Sequence, residues 1–275
     1  MFDYNGRVGA PPGLVADQEG SRRRGLSAAR ALGRPVALAG DRLLPVDPPL
    51  APLLLDGGLR RGSSLVVEGS AGTSLALALA AGASRAGSWV VVVGVSCLGA
   101  RAAAQLGVDL GRLAVVPDPG SQWPVVAAAV LEAADVVLVG LPDRGVRPAD
   151  SRRLTARARE RGAVIVVLAP PGDGVGGVGV GRSWPEPPDL RLEVGAAAWE
   201  GLGQGHGYLR SRVVTVTATG RRGASRSRRV NLLLPGPDGR VSVREVPAPP
   251  VPGEEPSPGR GGGVGEPGMS IAVGT

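Results

Sequence analysis

The sequence predicts an α/β fold: a mostly parallel sheet flanked by helices, with antiparallel strands added toward the C-terminal end. Three observations carry this. Continuous apolar runs, such as WVVVVG at 89–94 and AVIVVL at 163–168, alternate with helical stretches, as strands buried on both faces of a parallel sheet do. A small-residue turn, Gly69-Ser70-Ala71-Gly72, joins one such strand to an apolar helix. Beyond residue 169 the pattern changes to alternating strands between Gly-rich turns, which reads as hairpins.

Taken in order, residues 1–27 hold Gly, Pro and the run Arg22-Arg23-Arg24 with little periodicity, and are expected to be disordered. A core domain is expected over 28–246, opening on a short helix at 27–32. Residues 53–55 read as an apolar contact and Asp56-Gly57-Gly58 as a turn. A buried strand follows at 64–68, and then a helix at 74–83 that is Leu/Ala almost all round, as suits a helix packed hard on a sheet. The run 89–94 is a second strand, 98–106 a helix ended by Gly107, and 113–116 a short strand. Residues 124–134 are a helix, 135–140 (DVVLVG) a strand, and 149–161 a helix with an N-terminal Asp/Ser cap. Gly162 ends that helix, and 163–168 is a fourth strong strand. After a Gly/Pro-rich loop, strands are expected at 190–194, 213–218, 230–234 and 241–245, as an antiparallel extension. A Pro/Gly-rich tail, 247–275, is expected to be disordered.

Composition narrows the function. Aromatic residues make up 3% against 43% hydrophobic, so the core must be built from Val, Leu and Ala. The lone Cys97 rules out an internal disulfide framework, fits a reducing cytoplasm, and reads as a buried small residue. Metal-ligand spacings of Cys, His and Asp are absent from the sequence. The N-terminus has no apolar signal-peptide core, and the apolar runs are broken before membrane-spanning length. The expected location is the cytoplasm, in association with the nucleoid. A formal charge of +7 favours acidic partners, nucleic acid first. A GC-rich genome would equally turn Lys into Arg, but it does not set the sign of the net charge.

A Gly-rich turn between strand and helix is where α/β proteins cradle phosphates, because free N–H groups and the helix dipole converge there. The full loop reads GxxxxGK[ST], with Lys on the terminal phosphates and a hydroxyl on Mg²⁺. Here Gly69, Gly72, Thr73 and Ser74 remain. The glycines are too close together, and no Lys occurs anywhere: all 31 basic residues are Arg. Two readings stand, a vestigial phosphate site or a tight turn with a hydroxyl N-cap.

The order of features over roughly 42–245 resembles the RecA-like recombinase core, and within it the ImuA-type accessory proteins of bacterial mutagenesis cassettes. LLLDGGLRRGSSLVVEGS is similar to the segment leading into the RecA phosphate loop, and AAAQLGVDLGRLAVVPDPG to the RecA stretch around "LGVD". ADVVLVGLP sits where the second nucleotide motif belongs. DLRLEV and WEGLGQGHGYLRSRVVTVT resemble the C-terminal strands of the ImuA group. The resemblance implies a RecA-like, P-loop-type sheet. It also implies a role in damage-induced translesion synthesis beside an inactive Y-family-like polymerase partner of ImuB type, with single-stranded DNA as a second partner.

The chain departs from that family where chemistry is done. Gly72 is followed by Thr73 in place of Lys. No carboxylate occurs from Val90 to Ala100, where the catalytic Glu belongs, and the position of the Mg²⁺-linked Asp is about Gly140, with Asp143 displaced beyond Leu141-Pro142. Phosphoryl transfer rests on positioning and electrostatics, so these losses predict a non-catalytic scaffold that uses no ATP or Mg²⁺ cofactor. The alternative is an ATP- and DNA-binding RecA-type recombinase.

Two Arg clusters are candidate contacts for DNA or a partner. Arg152, Arg153 and Arg157, with Arg159 and Arg161, lie on the helix at 149–161, where Arg153 and Arg157 share a face. Arg221, Arg222, Arg226, Arg228 and Arg229 form a basic loop between two strands, suited to phosphate contact without base readout. The alternative for both is a solvated surface. His206, between two glycines, reads as a turn residue, since no nucleophile partner is evident. Trp184 and Trp199 are candidates for base stacking or for packing at the edge of the core.

Overall fold

The computed structural model describes residues 42–169, 183–202, 207–220 and 227–244. The N-terminal segment, the helix expected at 27–32, most of the Gly/Pro loop, His206, Arg221, Arg222, Arg226 and the tail lie outside the described residues.

The chain enters through β1 (Leu43–Leu44), a 3-10 helix at Pro48–Leu53, and β2 (Leu59–Arg60). β1 and β2 pair antiparallel as a separate ribbon. The core then alternates as β3 (Ser64–Glu68), α1 (Gly72–Arg85), β4 (Val90–Val93), α2 (Ala100–Gln105), β5 (Leu113–Val116), α3 (Trp123–Ala133), β6 (Val136–Gly140), α4 (Pro148–Arg161) and β7 (Val164–Ala169). Four strands complete it: β8 (Leu190–Leu202), β9 (Gly207–Gly220), β10 (Arg228–Leu233) and β11 (Ser242–Val243).

These strands form one nine-stranded sheet in the order β11-β10-β9-β8-β3-β7-β6-β4-β5. The strands from β8 to β5 in that order are mutually parallel, and β9, β10 and β11 add antiparallel. The α/β class with its antiparallel C-terminal strands is therefore as expected, with one correction. The first C-terminal strand, β8, runs parallel to β3 (Leu65 faces Leu190, Glu68 faces Glu193), and only from β9 onward is the extension antiparallel. β8 and β9 are also much longer than the sequence suggests.

Alternation sorts side chains into two apolar layers. Leu65, Val67, Val92, Leu138 and Val166 face α1 and α2, while Val66, Val137, Val139, Ile165 and Val167 face α3 and α4. A strand that must present apolar groups to both faces reads as an unbroken Val/Leu/Ile run, which is why β4, β6 and β7 are conspicuous in the sequence. Each buried Val or Leu contributes roughly 1.5–3 kcal/mol.

Helix ends show finer corrections. α1 begins after Ala71, which makes no side-chain cap; Thr73 and Ser74 are already inside the helix and do not cap it. α4 begins after Arg147, again without a side-chain cap, and Ser151 Oγ donates back to Pro148 O at 3.0 Å. Gly162 ends α4 in the left-handed region (φ +62°) as expected. Cys97 is exposed, not buried, because β4 stops at Val93 and the cysteine lies in the loop before α2.

Candidate functional site

The strand-to-helix connection after β3 is only Gly69, Ser70 and Ala71. Gly69 has φ +112°, and a Cβ there would lie 2.2 Å from Val194 O. The cause is the parallel register: Glu68 faces Glu193, so the backbone of β8 passes directly over the next residue. Gly72 N–H donates to Gly69 O at 3.0 Å, and the turn closes on itself. A phosphate cradle needs N–H groups directed outward. Gly72 spends its own within the turn, and Leu75 N–H goes to Ala71 O at 3.0 Å. The carboxylate preceding the turn, Glu68, pairs with Arg191.

Arg212 of β9 comes to the same helix end. Its Nη2 donates to Ser74 Oγ at 2.9 Å and its Nε to Leu234 O at 2.8 Å, and its guanidinium lies over the Trp199 ring at 5.1 Å. No carboxylate pairs with it among the described residues, and burial pushes its pKa below the usual arginine value. Arg212 is the residue that sequence reasoning missed. Its neighbours come from α1, β8 and the segment after β10, and only strand register brings them together. A basic residue two positions after Arg210, in a strand-forming stretch, was the one available signal.

The ends of β4 and β6 meet backbone to backbone. Gly94 (φ +73°) donates its N–H to Val116 O at 2.9 Å. A Cβ on Gly140 would sit 2.3 Å from Gly94 O, and Trp123 Nε1 donates to Gly140 O at 2.9 Å. Gly140, where the sequence resemblance expects a metal-linked Asp, thus has no room for a side chain. Asp143 stands beyond it in an exposed turn. Among the described residues no group of three His, Cys, Asp or Glu side chains converges as a metal site.

The two Arg clusters are not brought together. α4 packs on α3 and β7, and β9, β8 and β3 intervene between β7 and β10. Arg157 pairs with Glu132 of α3, Arg161 approaches it at 3.9 Å, and Arg159 reaches Asp189 at 3.8 Å. Arg152 Nε donates to Pro148 O at 3.1 Å. Arg153 is exposed and has no partner among the described residues. Arg228 and Arg229 belong to β10, opposite Ala218 and Thr217, so the strand begins earlier than the basic loop read from the sequence. Trp184 is buried on the α3/α4 side, whereas Trp199 is 46% exposed. A cleft of about 350 Å³, lined by Leu55, Leu59, Arg60, Arg159 and Leu190 among others, lies at the other end of β3 from Gly69.

Comparison with known proteins places the fold. The profile of the MT3502 N-terminal domain matches residues 52–173. The uncharacterised protein Rv3395c of Mycobacterium tuberculosis (strain ATCC 25618 / H37Rv) is 37% identical over 125 residues, 41% of this chain. That match spans 61% of the relative's own length. Among solved structures, the RadB recombinase superposes with a TM-score of 0.51 at 15% identity, over 70% of this chain and 95% of the other. The fold is RecA-like. No helix among the described residues is long and apolar enough to cross a membrane.

Proposed function

We propose that this protein is a non-catalytic RecA-like accessory factor in DNA damage tolerance. In this reading it is a scaffold of ImuA type that supports an error-prone translesion polymerase complex, through an inactive Y-family-like partner of ImuB type, and contacts single-stranded DNA. It works in the cytoplasm at the nucleoid, without a membrane partner and without ATP or Mg²⁺.

The observation that carries this reading is the closed turn at Gly69–Gly72. Gly72 N–H is spent within the turn, the Val194 carbonyl stands against Gly69, and no Lys exists to reach a phosphate. The backbone contact between Gly140 and Gly94 supports it at the metal-linked position. The RecA-like fold and the quoted sequence resemblances support the DNA-directed role. The test is co-purification of the full chain with a Y-family-like polymerase protein of ImuB type from the same organism. A stable complex that forms without nucleotide is expected; a complex that requires ATP would contradict the reading.

One observation favours the second reading, an ATP- and DNA-binding recombinase. Arg212 delivers a cation to Ser74 at the N-terminus of α1, where a phosphate loop keeps its own. Arg212→Ala separates the two: it abolishes nucleotide affinity if the guanidinium serves as the clamp, and changes only stability if the contact is structural.

A further inference from the structure

The outer ends of β8 and β9 form a ribbon that runs past their neighbours. β3 pairs with β8 only as far as Glu193, and β10 with the segment after it reaches β9 only as far as Arg212, whose N–H donates to Pro235 O at 3.0 Å and whose carbonyl accepts from Leu234 N–H at 2.7 Å. Among the described residues, Trp199, Glu200 and Leu202 have strand partners only in Arg212, Ser211 and Gly207.

The two faces of this ribbon differ in charge. Trp199 stands opposite Arg212, on the face that carries Val194 and Val214 into the core lower down. The guanidinium covers one side of the indole, which is still 46% exposed. Arg210 and Tyr208 follow along β9, where the register with β8 is irregular between Glu200 and Leu202; a Cβ on Gly201, two residues after Trp199, would lie 3.0 Å from Arg210 Cγ, Arg210 is exposed and Tyr208 is 80% exposed. Neither Arg210 nor Arg212 has an acidic partner among the described residues. The carboxylates of β8 fall on the opposite face. Glu193 stands across from Thr217, and Glu200 accepts from Ser211 Oγ at 3.0 Å and pairs with Arg244 at 3.3 Å.

An aromatic plane open to solvent, beside cations that no carboxylate neutralises, suits a polymer with stackable rings on an anionic backbone. Stacking accepts any base, and the arginines meet phosphates without reading sequence. A duplex hides its ring faces and cannot use the indole this way. We propose that the Trp199–Arg212 face of the ribbon, continued by Arg210 and Tyr208, binds single-stranded nucleic acid by base stacking and phosphate contact. The proposal rests on the DNA-directed reading above and gives it a site, distinct from both Arg clusters.

The test uses the full chain, a short labelled oligo-dT strand and a duplex of the same length, with anisotropy and tryptophan emission as readouts. Oligo-dT is expected to bind more tightly than the duplex and to quench emission in the parent but not in Trp199→Ala, since Trp199 is exposed whereas Trp123 and Trp184 are buried and Trp89 is partly buried. Trp199→Ala and Tyr208→Ala should each weaken oligo-dT binding roughly tenfold, with Trp199→Phe retaining most of it. Tyr208 is too exposed for its loss to unfold the chain. If both alanine variants bind oligo-dT like the parent, the ribbon assignment is wrong while the DNA-directed reading stands. If the parent binds neither strand nor duplex at low salt, DNA contact itself is wrong and the ribbon falls with it. If the alanine variants keep oligo-dT affinity but lose a protein partner, the surface is a protein-docking site and the proposal is overturned.

Discussion

Arg212 Nη2 and Ser74 Oγ are 2.9 Å apart, and this contact ties the last long hairpin of the chain to the first turn of α1. Ser74 is thereby occupied by the protein's own guanidinium. The same guanidinium also holds Leu234 O and lies on Trp199, so three separate segments meet at one side chain.

Arg212→Ala should lower unfolding stability by about 2 kcal/mol, since a charge-assisted hydrogen bond and a cation–π contact go together. Ser74→Ala should cost about 1 kcal/mol. In urea denaturation the double variant should cost less than the sum of the two. Strict additivity would mean that the contact contributes nothing.

Gly140→Asp puts a carboxylate back where the family resemblance calls for one. Because a Cβ there meets Gly94 O at 2.3 Å, the variant should lose roughly 3 kcal/mol or more and gain no Mg²⁺ affinity. Thermal unfolding with and without Mg²⁺ checks both parts. A stable variant that is further stabilised by Mg²⁺ would show that the strand ends can open.

Asp189 Oδ2 accepts from Ser64 N at 3.0 Å and from Ser64 Oγ at 3.1 Å, pinning the start of β8 to the start of β3. Asp189→Ala should cost about 2–3 kcal/mol, because the Ser64 N–H, in a nearly buried residue, loses its acceptor. Denaturant midpoints of parent and variant measure this directly.

The parallel sheet was legible because β4, β6 and β7 are unbroken apolar runs, and their ends moved by only a residue or two. The placement of β8 beside β3 was not legible: strand order is a long-range property, and nothing local in DLRLEV distinguishes a parallel neighbour from an antiparallel one. The ribbon escaped notice because Gly195, Ala197, Ala198 and Gly201 carry no alternation. At the site, Gly69 and Gly72 announced a turn. That Val194 closes it and Arg212 reaches Ser74 depended on that same hidden strand order. Cys97 reads as buried because free cysteines usually are, but the strand has already ended at Val93 and the residue is exposed.

On α4 the sequence groups three arginines that the structure separates by their partners. Arg157 is held by Glu132, whereas Arg153 is free among the described residues. If α4 contacts DNA, Arg153→Ala should flatten the dependence of log K on log salt by roughly 0.7–0.9, the value of one phosphate contact. Arg157→Ala should leave that slope almost unchanged. Equal effects of the two would mean that the Glu132 pair breaks on binding.

The most direct test of the central claim, a RecA-like sheet whose nucleotide loop has closed, is titration of the full-length protein with a fluorescent ATP analogue, with and without Mg²⁺. The account predicts no saturable Mg²⁺-dependent binding and no phosphate release above the protein-free rate. Tight Mg²⁺-dependent binding that is lost in Arg212→Ala would contradict it, and would mean that Arg212 has taken over the work of the missing lysine.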